Sequence, residues 1–197
     1  KLLRSYKMYF PKKKIKFFNG RYININRFKN YNQKKEIDIL IFGTRSYQND
    51  IQQHNADKEY KQKWENHNKK IIPNKYYFYP LRKRFEEILL KNKNKYNICI
   101  LPEKCINNAP IVNEDLSKLI NKSWLTMSTC SRADIPFAKY FEIGSSYGGI
   151  IGNIPSDYSD LFKNNIVEVT EWMTDDEILS TIDKALEDKK KITRNDK

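Results

Sequence analysis

A chain of 197 residues is long enough to bury a sizeable single core, and 39% hydrophobic and 13% aromatic residues, with 13 Tyr and 10 Phe, exclude a disordered chain. The formal charge of +13 raises the question of nucleic acid, but residues 1–35 hold 12 Lys or Arg and no Asp or Glu, whereas residues 36–197 hold 25 against 24. The excess is confined to one end, so a basic nucleic-acid-binding module is the alternative and not the first reading.

No run of about 18 apolar residues occurs and no leader-like segment opens the sequence, so a soluble protein is expected. Cys99, Cys105 and Cys130 are odd in number and lack metal-ligand spacing. They read as reduced structural thiols in a cytoplasmic, reducing compartment. His54 and His67 have no partners at ligand spacing and read as surface imidazoles.

In chain order, residues 1–36 carry short apolar patches between lysine clusters, then an alternating run Tyr22-Ile23-Asn24-Ile25-Asn26 that gives a weak strand signal. This segment is too poor in apolar residues for a core of its own, and reads as a basic linker or the edge of an amino-terminal domain. Ile37-Asp38-Ile39-Leu40-Ile41-Phe42-Gly43 follows, a nearly continuous apolar run closed by glycine, as expected of a strand buried on both faces. Residues 44–76 form a polar excursion with a helix-compatible stretch at 56–66.

Pro80 opens a helix whose Leu81, Phe85, Ile88 and Leu89 share one face, with Arg82, Arg84, Glu86 and Glu87 on the others. A strand at 96–101 comes next, then a helix with Asn113 as N-cap and Leu116, Leu119 and Ile120 on its buried side. A third strand is predicted at 124–127, a helix at 137–145, a fourth strand at 149–152, a helical turn at 157–162 and a fifth strand at 166–169. The last helix starts at a capping box, Thr174-Asp175-Asp176-Glu177, and buries Ile178, Ile182 and Leu186. Residues 189–197 are expected to fray.

Strands alternating with helices predict an α/β domain at 37–188: an open parallel sheet of about five strands with helices on both faces. Ligands bind such sheets outside the carboxyl ends of the strands, which selects the loops after Gly43, Leu101, Met127 and Gly152. The loop after Met127 is rich in the groups a nucleotide diphosphate requires. Arginine can fork onto phosphate oxygens, a carboxylate can accept from ribose hydroxyls, and glycine lets backbone N–H groups approach a pyrophosphate.

The string Lys139-Tyr140-Phe141-Glu142-Ile143, continued by Gly148-Gly149-Ile150-Ile151-Gly152-Asn153-Ile154-Pro155, resembles the carboxyl-terminal, Rossmann-like donor-binding domain of glycosyltransferases of the GT-B type, group 1. Asp38 to Gly43 looks like the opening strand of that domain, Tyr79-Pro80-Leu81-Arg82-Lys83-Arg84 like a motif of some members, and Asn121-Lys122-Ser123 like the turn before the third strand. The resemblance covers residues 37–187, and 132–155 carries its specific part.

The resemblance implies a retaining, metal-independent enzyme that moves a sugar from a nucleotide diphosphate sugar to a glycan or other hydroxyl acceptor, with no cofactor. The absence of an Asp-x-Asp motif agrees with metal independence, and the absence of a P-loop motif argues against phosphoryl transfer. Asp134 and Glu142 stand at the spacing of the family's paired acids. Asp134, where a Glu is usual, is placed near the transferred sugar as the catalytic candidate, and Glu142 at the donor ribose. The donor-binding candidates are Glu142, Lys139, Arg132, Ser131, Gly43, Thr44, Arg45, Arg82, Ser145, Ser146 and Gly148. Arg84 is a further candidate for the phosphates.

Tyr147 stands where the family usually has glycine, five residues after the second acid, which predicts a loop shifted by one residue. An enzyme of this type needs a second domain for the acceptor. The chain is therefore expected to be either part of a longer polypeptide or a module that works with a partner. A domain of the same fold serving only for interaction is a further alternative.

Overall fold

The computed structural model describes residues 23–44, 79–102, 113–130 and 137–195. The helix-compatible stretch at 56–66 lies outside them. Five strands form one parallel sheet: β1 (Ile37–Ile41), β2 (Ile98–Ile100), β3 (Ser123–Met127), β4 (Gly149–Gly152) and β5 (Ile166–Glu168), in the order β2-β1-β3-β4-β5. The helices are α1 (Pro80–Lys91), α2 (Asn113–Asn121), α3 (Lys139–Ser145), α4 (Ser159–Phe162) and α5 (Asp175–Asn195), with a 3-10 turn at Ser156–Tyr158. The expected open α/β sheet, Rossmann-like in class, is the observed fold.

The period-2 alternation of β1 explains the three layers. Ile39 and Ile41 face a core made with Leu125, Met127 and Ile151, covered by Leu81, Phe85, Ile88 and Leu89 of α1 and by Ile178, Ile182 and Leu186 of α5. Leu40 and Phe42 face the other way, against Leu116 and Ile120 of α2, Tyr140 and Ile143 of α3, and Phe162. The chain leaves β1 through α1 to β2 on one side, then returns through α2 to β3 on the other. With crossovers of one hand, this reversal puts α1 and α2 on opposite faces and opens a crevice between the carboxyl ends of β1 and β3.

Glycine is required where β4 ends. Gly152 has φ +156°, and a Cβ there would come within 1.7 Å of the Ser128 carbonyl. The backbones can therefore close up where Ser128 N–H donates to the Ile151 carbonyl at 3.0 Å. The capping box of α5 forms as its sequence predicts: Thr174 N–H donates to Glu177 Oε2 at 2.6 Å and Glu177 N–H to Thr174 Oγ1 at 3.2 Å.

Three expectations are corrected. Residues 22–26 are not a strand where they are described: Asn24 forms a turn, its carbonyl accepting from Arg27 and Phe28 N–H and its side chain from Asn26 N–H. Asparagine competes for local backbone donors and ends extended pairing. The segment after it lies along α2, with Phe28 8% exposed in the second core, Lys29 N–H on Ser117 Oγ and Gln33 N–H on Asn121 Oδ1.

The second correction concerns α1, where Arg82 and Glu86 are buried, although the spacing put them on the outer faces. The third is that α5 runs to Asn195, past the expected end at Asp188. Lys190 is tied to Asp38 at 2.7 Å. Among the described residues, no helix is long and apolar enough to cross a membrane.

Candidate functional site

The switch point is built from the end of β1 upward. Gly43 has φ +80°, a left-handed conformation that leaves the position open, and Lys139 fills the space: a Cβ on Gly43 would lie 2.0 Å from Lys139 Nζ. That ammonium donates to the Phe42 carbonyl at 2.6 Å and lies 4.5 Å from the centre of the Phe42 ring. Lys139 is also the first residue of α3, so the helix that leaves β3 is fastened to the end of β1. One turn on, on the same helix face, Glu142 is partly buried. Burial pushes its carboxyl above the usual carboxylate range, and the charge of Lys139 pulls it back.

Arg82 comes to the same crevice from α1. Only 2% exposed, it donates from Nη1 to the Thr44 carbonyl at 2.7 Å and from Nη2 to the Thr129 carbonyl at 3.3 Å. Its guanidinium lies 4.1 Å from the centre of the Tyr79 ring, which meets Phe137 edge-on at 5.3 Å. A buried guanidinium is tolerated only where its donors are met, and backbone carbonyls with an aromatic face do part of that here.

A second brace joins the ends of β3 and β4. Cys130 N–H donates to Asn153 Oδ1 at 2.9 Å, and the Tyr140 hydroxyl donates to the Asn153 carbonyl at 2.7 Å and lies 3.4 Å from Cys130 Sγ. Burial drives the Tyr140 hydroxyl far above its ordinary pKa, so it stays protonated and able to donate. Among the described residues, the Lys139 ammonium, the Glu142 carboxyl and the Arg82 guanidinium thus stand at the carboxyl ends of β1 and β3. No family model, curated protein or solved structure matches this chain.

Of the residues singled out in the sequence, Gly43, Thr44, Lys139, Glu142 and Arg82 are brought to this edge. Arg45, Ser131, Arg132 and Asp134 lie outside the described residues. Ser145, Ser146 and Gly148 are not at the site, because α3 starts at the carboxyl edge and carries its last residues back to the amino edge, where β4 begins. Ser146 is buried, its hydroxyl 2.8 Å from Ser117 Oγ and its carbonyl accepting from Asn121 Nδ2. A Cβ on Gly148 would collide with Ile120 and Ile143, so this glycine serves packing.

Arg84 is engaged elsewhere, with Nη2 on Asp175 at 2.6 Å and Nη1 on the Glu171 carbonyl at 2.9 Å, joining α1 to the start of α5. At the position where the resemblance expects a glycine, the chain carries Tyr147 in the turn that ends α3. Tyr147 itself takes φ +55°, the conformation a glycine would supply.

Tyr79, Thr129 and Asn153 were not among the candidate site residues, although Tyr79 and Asn153 stand in the strings that carry the resemblance. Tyr79 could have been found as the residue before the helix-opening proline. Thr129 contributes a backbone carbonyl, which leaves no trace in side-chain identity. Among the described residues, no group of three His, Cys, Asp or Glu is placed to hold a metal ion.

Proposed function

We propose that this chain is the donor-binding half of a glycosyltransferase that transfers a sugar, with retention, from a nucleotide diphosphate sugar to a glycan or other hydroxyl acceptor. The observation that carries the reading is the convergence of Gly43, Lys139 and Glu142 at the reversal between β1 and β3, where parallel sheets bind nucleotides. The residues that resemble the family, Lys139-Tyr140-Phe141-Glu142, form the helix that begins there.

In this reading the Lys139 ammonium and the backbone N–H groups beyond Gly43 meet the diphosphate as it departs, the largest charge that develops in the reaction. Glu142 accepts hydrogen bonds from the ribose hydroxyls. Asp134 lies near the transferred sugar, and a second domain, in the same polypeptide or a partner, presents the acceptor. A reducing, cytoplasmic compartment suits the free thiols of Cys99 and Cys130.

Thermal denaturation with UDP, GDP or ADP tests this. At a hundred times its Kd, the cognate nucleotide stabilises by about 2.7 kcal/mol, equivalent to roughly 5–10 °C for a domain of this size. Both Glu142→Ala and the shape-preserving Glu142→Gln remove most of the shift. A wild-type protein that none of the three nucleotides stabilises would overturn the proposal.

A further inference from the structure

Arg82 is held against four residues that flank two stretches of the sequence, 45–78 and 131–136. Thr44 precedes residues 45–78 and Tyr79 follows them, while Thr129 and Cys130 precede residues 131–136 and Phe137 follows. The guanidinium fork grips the Thr44 and Thr129 carbonyls, its face lies on Tyr79, and Tyr79 meets Phe137. One side chain therefore connects all four stems, directly at three and through Tyr79 at the fourth.

We propose that Arg82 is a positioning residue, a clasp that sets the stems Thr44, Tyr79, Thr129 and Phe137 beside the candidate site, and not a ligand of the donor phosphates. The nucleotide arm of the test below rests on the donor-binding reading above; the exchange arm does not. Two arguments separate a clasp from a ligand. A phosphate ligand needs its fork free for the incoming oxygens, whereas Arg82 is 2% exposed and spends one nitrogen on each loop. A planar fork on a stacked ring is also a geometry that arginine alone supplies, since lysine offers a single point of charge without the bridge.

Two variants test the clasp: Arg82→Lys, which keeps the charge and loses the fork, and Tyr79→Leu, which keeps Arg82 whole and removes the plate beneath it. Tyr79 is only partly buried, so the second variant keeps the proposal testable if the first fails to fold. Amide hydrogen exchange at Gly43, Thr44, Thr129 and Cys130 speeds up by about tenfold or more in Arg82→Lys, the factor carried by one lost charge-assisted hydrogen bond. In Tyr79→Leu it speeds up by about threefold, as for one cation–π contact. The centres of β1 and β3 keep their protection in both.

In parallel, affinity is measured for a nucleoside and for its diphosphate. A clasp lowers both by the same factor, because the whole site is misaligned. Unchanged exchange at the stems in either folded variant overturns the proposal, as does a loss confined to the diphosphate, which would make Arg82 a phosphate ligand. If the wild-type protein binds neither compound, the donor-binding reading fails, and the exchange measurement still decides the clasp.

Discussion

Replacing Tyr147 by glycine should stabilise the protein, although it removes a large aromatic side chain. Helix α3 ends in a Schellman motif: Gly148 N–H donates to the Ile143 carbonyl at 3.0 Å, Tyr147 N–H donates to the Gly144 carbonyl at 3.0 Å, and Tyr147 sits in the left-handed position between them at φ +55°. An L-residue there costs about 1–2 kcal/mol through the clash of Cβ with the following carbonyl.

Glycine removes that cost and brings its own entropic penalty of roughly 0.5–1 kcal/mol. The side chain is 70% exposed, so little packing is lost with it. The net gain is about 0.5–1 kcal/mol, read as a higher urea midpoint at unchanged m-value, with Tyr147→Asn between the two and Tyr147→Ala close to wild type. A lower midpoint for Tyr147→Gly, or an equal gain for Tyr147→Ala, would show that conformational strain is not what the position stores. If the chain binds nucleotide as proposed, its affinity should not change, since the motif lies at the amino edge.

Two further outcomes follow from the same structure. Phe28→Ala should cost about 3 kcal/mol in urea denaturation, because the ring is part of the second core; a loss below about 0.5 kcal/mol would make the segment before β1 an appendage. Lys35, partly buried, donates to the Ser123 carbonyl at 2.8 Å, and burial, assisted by Lys189, lowers its ammonium pKa to about 8. Between pH 8 and the unfolded value of 10.5 the unfolded chain binds more protons than the folded one, so this group makes stability rise with pH across that window. The urea midpoint of wild type should therefore gain on that of Lys35→Met from pH 8 to 10, and a constant difference would refute the assignment.

The sheet was legible because its strands are apolar runs and its helices carry one-face spacing, two signals that depend only on local sequence. The crevice followed from chain direction, which the βαβ alternation already contains. Direction also implies that Ser145, Ser146 and Gly148 return to the amino edge. Grouping them with Lys139 by chemical type ignored that α3 crosses the sheet between them. Arg82 was hidden for another reason: helical spacing reports the face a residue leaves by, not whether backbone carbonyls such as those of Thr44 and Thr129 lie against that face. The segment after Asn24 was read as an edge or linker because its apolar residues are few, yet Phe28 alone gives it a seat in the core.

The retreat of Ser145 to Gly148 to the amino edge separates two properties that usually compete in one site. The end of α3, the left-handed Tyr147 and the partly buried Lys35 meet at the starts of β3 and β4, while the reversal between β1 and β3 lies at the opposite, carboxyl edge of the sheet. The exposed position 147 is therefore a natural point of attachment: a cysteine placed there could carry a fluorophore or tether the domain at the edge of the sheet opposite Gly43 and Lys139.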